Sequence, residues 1–246
     1  MVNSVVIIPT YKERDNIVAI IDAVLNLPRE FHLIIVDDGS PDGTGALVKS
    51  LQQIHNTAIE KKIHLIERSG KLGLGTAYIV GFHYALDNGY EYILQMDADF
   101  SHDPKDLVKL YLACAEGGAQ VSVGSRYVSG VNVVNWPMGR VLMSYSASRY
   151  VRLITSIPIQ DTTAGFVCYT RKVLSTIELD KIKFVGYAFQ IEMKFLAWKH
   201  GFKIVEVPII FTDRTKGESK MSSGIIKEAF FGVLQMTIQS WFRKFR

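Results

Sequence analysis

At 246 residues, 48% hydrophobic and 21% charged, the chain can hold one large α/β domain, or a domain with a small appendage, and is too apolar for disorder. The formal net charge of +4 is mild and says little by itself about partners; no nucleic-acid partner is expected. Cys114 and Cys168 sit in apolar surroundings without metal-type spacing, which reads as buried thiols in a reducing compartment, and the scattered histidines give no zinc site.

Residues 2–9 read as a strand already in the fold, not as a signal sequence. From there short β-branched runs alternate with helical patterns. Strands are predicted at 4–9, 32–38, 63–67, 92–97 and 121–125, and helices at 16–27, 44–55, 76–88 and 104–115. This alternation predicts βαβ units in a mostly parallel sheet covered on both faces. After residue 126 the pattern changes: a loop over 130–139, a helix over 137–155, a strand over 164–170, a helix over 187–200 and a strand over 203–211. A polar loop at 212–224 leads into an amphipathic helix. Its charge-free run at 229–242 falls short of the roughly 20 residues that cross a bilayer. The expected division is a domain over 1–222 and a C-terminal amphipathic helix over 223–246.

Polar clusters fall at the carboxyl ends of the predicted strands, where parallel sheets bind ligands. Asp97 and Asp99 in "MDADFSHDP" share a strand face, and two hard oxygen donors so close suit Mg²⁺ or Mn²⁺ held together with substrate phosphates. The alternative is a capping turn, but Asp103 as N-cap and Pro104 as first helical residue already fill that role. Asp37-Asp38 reads equally as a ribose or base contact or as an ordinary Asx turn. "PTYKERDN" at 9–16 reads as a base pocket lined by Pro9, Tyr11 and Glu13, or as a capped loop. "GKLGLGTA" at 70–77 matches neither glycine-rich phosphate motif and reads as a flexible loop, or as a loop whose amides touch a phosphate.

Arg126 ends the fifth strand, across from Asp97 and Asp99. Arg140, Ser144, Ser148 and Arg152 recur every fourth residue, a stripe that is either solvated or, between its apolar flanks, suited to a lipid that carries a phosphate. Arg214 and Lys220 lie in a loop that either closes over phosphates or is simply charged. His102 is a ligand or a core residue. The terminal helix packs on the core or lies in a membrane interface with Trp241 at headgroup level.

Taken together, "IIPTYKERDNI", "IIVDDGSPDGT", "RSGKLGLGTAY", "MDADFSHDP", "GSRYV", "GRVLMSYSASRYVR", "DTTAGFVCYTRKVL", "GYAFQIEM" and "DRTKGESKM" resemble the family-2 glycosyltransferases of GT-A fold. More narrowly, they resemble the dolichyl-phosphate (polyprenyl-phosphate) mannosyltransferases. The resemblance implies inverting transfer of mannose from GDP-mannose to a polyprenyl or dolichyl phosphate, with Mg²⁺ or Mn²⁺, at the cytoplasmic surface of a membrane. UDP-glucose-dependent glucosyl transfer to the same lipid is the close variant, and a non-catalytic nucleotide-binding scaffold the distant one.

Residue by residue, the resemblance implies nucleotide contacts from Pro9, Tyr11, Glu13, Val36 and Asp38. It implies Asp97 and Ala98 at the sugar nucleotide, with Asp99 on the metal beside Asp97. Arg126, Arg140 and Ser144 would meet the lipid phosphate, Arg126 would also meet the donor, and Arg214 and Lys220 would meet the donor diphosphate. Two departures stand out. Some relatives carry Gln where this chain has Ser101, and Gly165-Phe166-Val167 stands where relatives often read G-F-R. The terminal helix replaces transmembrane helices of some relatives, which implies peripheral attachment and leaves a membrane-anchoring subunit open.

Overall fold

A computed structural model describes residues 2–186, 188–213, 223–242 and 245, with 223–229 as backbone alone. Seven strands form one sheet in the order β3-β2-β1-β4-β7-β5-β8. These are β1 (Ser4–Thr10), β2 (His32–Asp37), β3 (Ile63–Glu67), β4 (Tyr92–Gln95), β5 (Val121–Ser125), β7 (Val167–Thr170) and β8 (Ile204–Pro208). Every pairing is parallel except those of β7, which runs antiparallel between β4 and β5.

Helices cover both faces, so the central strands are apolar at successive positions rather than alternating. Val5 and Ile7 point to one face, against Ala77, Tyr78 and Phe82 of α3 (Leu74–Asp87) and Phe189 and Met193 of α7 (Ala188–Lys199). Val6 and Ile8 point to the other, against α1 (Arg14–Leu25), α2 (Thr44–His55) and α4 (Asp106–Ala115). Ile17, Ile20 and Ile21 of α1 are wholly buried there, each worth roughly 1.5–3 kcal/mol. Gly81 lets α3 approach β1: a Cβ would lie 2.6 Å from Cγ2 of Ile7.

The first half follows the predicted elements closely. The second half differs in three places, each with a local cause. The strand expected at 203–211 stops at Pro208, which pairs with Ser125, the last residue of β5, so the ladder runs out of partner there. Phe211–Thr212 (β9) instead pairs in parallel with Val133–Val134 (β6), inside the segment expected to be a loop. A six-residue helix, α6 (Arg171–Thr176), follows β7 directly.

The helix expected at 104–115 begins at Asp106 with Lys105 at its N-cap position, so Asp103 is not its cap. Oδ1 of Asp103 instead accepts the Lys105 amide at 2.9 Å in the turn before the helix. The expected helix at 137–155 is α5 (Met138–Thr155), and the terminal one is α8 (Ser223–Phe242). Val233 and Met236 of α8 are buried with Val151 of α5 and Phe195 of α7, so the terminal helix is packed on the body. Among the described residues no helix is long and apolar enough to cross a membrane.

Candidate active site

The chain leaves β1 toward β2 and β3 on one side, then returns to place β4 on the other. The carboxyl ends of β1 and β4 therefore flank the topological switch point, the crevice where such sheets take ligands. Because β7 is reversed, its amino end lies at this same edge, with Val167 paired to Gln95 and Val123. The edge thus has a β1–β2–β3 side and a β7–β5–β8 side, with Asp97 and Asp99 between them.

On the first side the two adjacent aspartates divide their work. Asp37 is structural: it accepts the Thr10 hydroxyl at 2.8 Å, the Ser40 amide at 2.9 Å and the Ser40 hydroxyl at 2.6 Å. Asp38 instead meets Arg68, whose Nε donates to Oδ1 at 2.6 Å while Nη2 also approaches that oxygen. Burial raises the Asp38 carboxyl above the usual range, Arg68 opposes this, and the Asp37 charge adds to it. Arg68 also donates from Nη1 to the Thr76 hydroxyl at 2.7 Å and from Nη2 to the Gly73 carbonyl at 3.3 Å. The 70–77 glycine segment is therefore tied to Asp38 rather than loose. Arg68 follows the last residue of β3, an end to which the sequence reading gave no chemistry.

Tyr11 is half-buried beside Asp38's turn, with Nζ of Lys12 and Lys71 at 5.7 and 5.4 Å from its ring centre. Lys12 takes a left-handed backbone at φ 58°. Glu13 accepts the Asn16 side-chain amide at 3.0 Å, and its own amide donates to Thr44 Oγ1 at 3.1 Å. Pro9 is half-buried and opposes Val36 in register; Val36 is fully buried within the sheet.

At the centre, Asp97 is half-buried and Asp99 buried, two and four residues past the end of β4, with the buried Ala98 between. Asp99 Oδ1 accepts the Ser101 amide at 3.1 Å. Phe100 holds φ 58°, a conformation that costs about 1–2 kcal/mol outside glycine and turns the chain sharply just after the aspartates. His102 is a core residue. It stacks on Phe166 at 4.7 Å, and burial, against the pull of Asp99, pushes its pKa down to about 4.

On the far side Arg126 is buried in a pairing the sequence did not announce. Its amide, Nε and Nη2 all donate to the Asp161 carboxylate, at 3.0, 2.7 and 2.7 Å, and Nη2 reaches Thr163 at 2.8 Å. Burial would raise the Asp161 carboxyl, but Arg126 outweighs it and holds the group below its usual range. Arg140 lies 4.1 Å over the Trp136 ring and bonds Asp213 at 2.8 Å. Ser144 is half-buried beside Tyr127. Further along the stripe, Ser148 is buried 3.5 Å from the Thr163 hydroxyl and Arg152 bonds Gln160. The Ser148 and Arg152 end of the stripe therefore faces the 160–163 loop, not water. Arg214 and Lys220 lie outside the described residues.

Among the described residues no cluster of three or more His, Cys, Asp or Glu side chains could by itself hold a metal. Asp97 and Asp99 supply hard oxygens only, which fits a cation whose remaining ligands come from phosphates and water.

Residues 5–177 match the family model described as "Glycosyl transferase family 2". The chain is 44% identical to polyprenol monophosphomannose synthase of Mycolicibacterium smegmatis over 96% of this chain and 87% of that one. It is 40% identical to undecaprenyl-phosphate mannosyltransferase of Micrococcus luteus over 92% and 90%. Among solved structures, glucosyl-3-phosphoglycerate synthase of Mycobacterium tuberculosis with Mn²⁺, UDP-glucose and phosphoglyceric acid superposes with a TM-score of 0.67. The identity is 15%, over 98% of this chain and 81% of that one. The same enzyme with Mg²⁺ and UDP gives 0.64 at 16% identity, over 97% and 79%. The strand order with its reversed β7, the paired aspartates at the switch point and these matches together mean that the chain belongs to glycosyl transferase family 2 and has the GT-A fold.

Proposed function

We propose that the protein transfers mannose from GDP-mannose to a polyprenyl phosphate, with inversion, giving polyprenyl-phosphate β-mannose and GDP. The observation that carries this reading is the layout of one sheet edge. Asp38 and Tyr11 lie on one side, Asp97 and Asp99 at the centre, and arginines on the other. The two mannosyltransferase relatives, matched over nearly the whole chain, support the lipid phosphate and the sugar.

On this reading Pro9, Tyr11, Glu13, Val36 and Asp38 surround the nucleoside, and Asp97 and Ala98 meet the sugar diphosphate. Asp99, with Asp97, would hold Mg²⁺ or Mn²⁺, which when bound neutralises charge on the departing diphosphate. Arg214 and Lys220, outside the described residues, are assigned to the same diphosphate. Arg126, Arg140 and Ser144 receive the acceptor phosphate. An oxygen of that phosphate attacks the anomeric carbon as the bond to GDP breaks, and the electron pair leaves with GDP. A phosphate monoester has a second pKa of about 6 and is mostly dianionic at pH 7, so no side chain needs to take a proton. The task left to the protein is holding two anions together, which falls to the arginines.

The exposed faces of α5 and α8 support a peripheral membrane position for α8 and its neighbour. Met138 and Leu142 on α5 and Phe231, Trp241 and Phe242 on α8 are exposed. The two helices are joined by the Tyr150 hydroxyl donating to the Phe230 carbonyl at 2.9 Å and by stacking of their rings at 4.5 Å. Apolar side chains beside arginines suit an anionic lipid surface.

The test is incubation with Mg²⁺, polyprenyl phosphate and either GDP-mannose or UDP-glucose labelled in the sugar. Label extracted into chloroform from GDP-mannose is the expected result. Label from UDP-glucose instead would move the assignment to glucosyl transfer. None from either donor, with a control enzyme active, would sink it.

A further inference from the structure

The pairing of Arg126 raises a problem for its role. An arginine making three bonds to one carboxylate offers an approaching anion little net charge. A second carboxylate, Glu206 of β8, stands behind the same loop and accepts the amides of Gln160 and Asp161 at 2.7 and 2.8 Å. Arg126, Asp161 and Glu206 alone sum to one negative charge, which would repel a phosphate.

Lys194 of α7 alters that balance. It is wholly buried, and its Nζ donates to the Ala164 carbonyl at 2.6 Å. Among the described residues its charge is not consumed in a contact ion pair. Asp161, Arg126 and Glu206 are the charged groups that face it, and His102 shares Arg126 and Asp161 with it while remaining neutral near pH 7. A buried ammonium is costly without a purpose or a partner. The hydrogen bond to one carbonyl could be made by a neutral side chain.

We propose that Lys194 is a positioning residue for the acceptor: its buried charge offsets the second carboxylate behind Arg126 and makes the 160–165 loop receptive to the lipid phosphate. This rests on the reading of Arg126 as the acceptor-phosphate contact. Burial pushes the Lys194 pKa down to about 7, with Asp161 opposing the shift and Arg126 adding to it. Acceptor affinity should therefore fall as pH rises from about 7, even though the phosphate gains charge over the lower part of that range.

The experiment is calorimetric titration of wild type, Lys194→Met and Lys194→Gln with a short-chain polyprenyl monophosphate in detergent, at several values between pH 6 and 9. It is paired with donor KM and kcat. Both variants should bind the lipid phosphate about tenfold more weakly at pH 6.5, the size expected of one charge in a partly screened interior. Both should lose the decline above pH 7, and donor KM should stay within about twofold. Gln keeps a donor for the Ala164 carbonyl, so recovery of wild-type binding in Lys194→Gln would make the residue structural and overturn the assignment. So would equal weakening toward donor and acceptor, or wild-type binding in both variants. Failure of the wild type itself to bind the lipid phosphate would remove the acceptor and, with it, this role for Lys194.

Discussion

At the scale of single residues, Asp99 and Arg68 make opposite demands on a substitution. Asp99→Asn removes a charge from a site assigned to a metal diphosphate and should lower kcat at least a hundredfold with little change in melting temperature. Retained turnover would take Asp99 out of the metal role. Arg68→Ala leaves Asp38 buried beside Asp37 without its cation, so donor KM should rise about tenfold, the size of a lost charge-assisted hydrogen bond. The loss should be worse toward acidic pH, because the Asp38 carboxyl, already raised, would protonate more readily. Arg68→Lys should recover only part, since one ammonium cannot span Asp38, Thr76 and Gly73. Steady-state kinetics from pH 5.5 to 8 would measure all three. The positions of Asp97, Asp99 and Arg126 near strand ends were legible in the sequence because position along a strand is a local property. Arg68, Asp161 and Lys194 were not: each gets its meaning from a partner about 30 residues away or more, and no spacing rule spans such a gap. Asp37 and Asp38 were legible as a pair but not as two different jobs.

At the scale of elements, periodicity was enough wherever strand and helix alternate, from β1 to β5. It gave no direction for β7, since a run buried on both faces reads the same forward and backward. It also ran β8 past Pro208, where its partner β5 ends, and missed the separate pairing of β9 with β6. The fit of α3 on β1 yields a stability prediction. Gly81→Val places atoms where Ile7 already sits and should cost about 1–3 kcal/mol or more, read as a lowered urea midpoint. The exposed face of α8 gives another. Trp241→Ser with Phe242→Ser should leave the melt unchanged, because both side chains are exposed, while reducing co-sedimentation with anionic vesicles severalfold. Unchanged co-sedimentation would remove α8 from the membrane contact.

At the scale of the whole molecule, the buried charges link stability to pH. Lys194 has a folded pKa near 7 against an ordinary value of 10.5, so between these values the unfolded chain binds more protons than the folded one. Its contribution to stability therefore rises with pH across that window and is least favourable below it. Denaturant titrations at pH 6.5 and 9.5 should show this rise in wild type, and Lys194→Met should flatten it.

The reversed β7 also sets an order of assembly. β1 to β4 and their helices arise from segments close in the chain, whereas β5 reaches the sheet only through β7, and β7 pairs Val167 with Gln95, far back in the chain. Short-range pairings form before long-range ones. On a ribosome, the β1–β2–β3 side can therefore fold while the chain is still being made, and the β7–β5–β8 side must wait until the segment after Asp161 has emerged. The half assigned above to the water-soluble donor is finished first. The half assigned to the lipid closes last, when the terminal helix is about to become available to pack beside it.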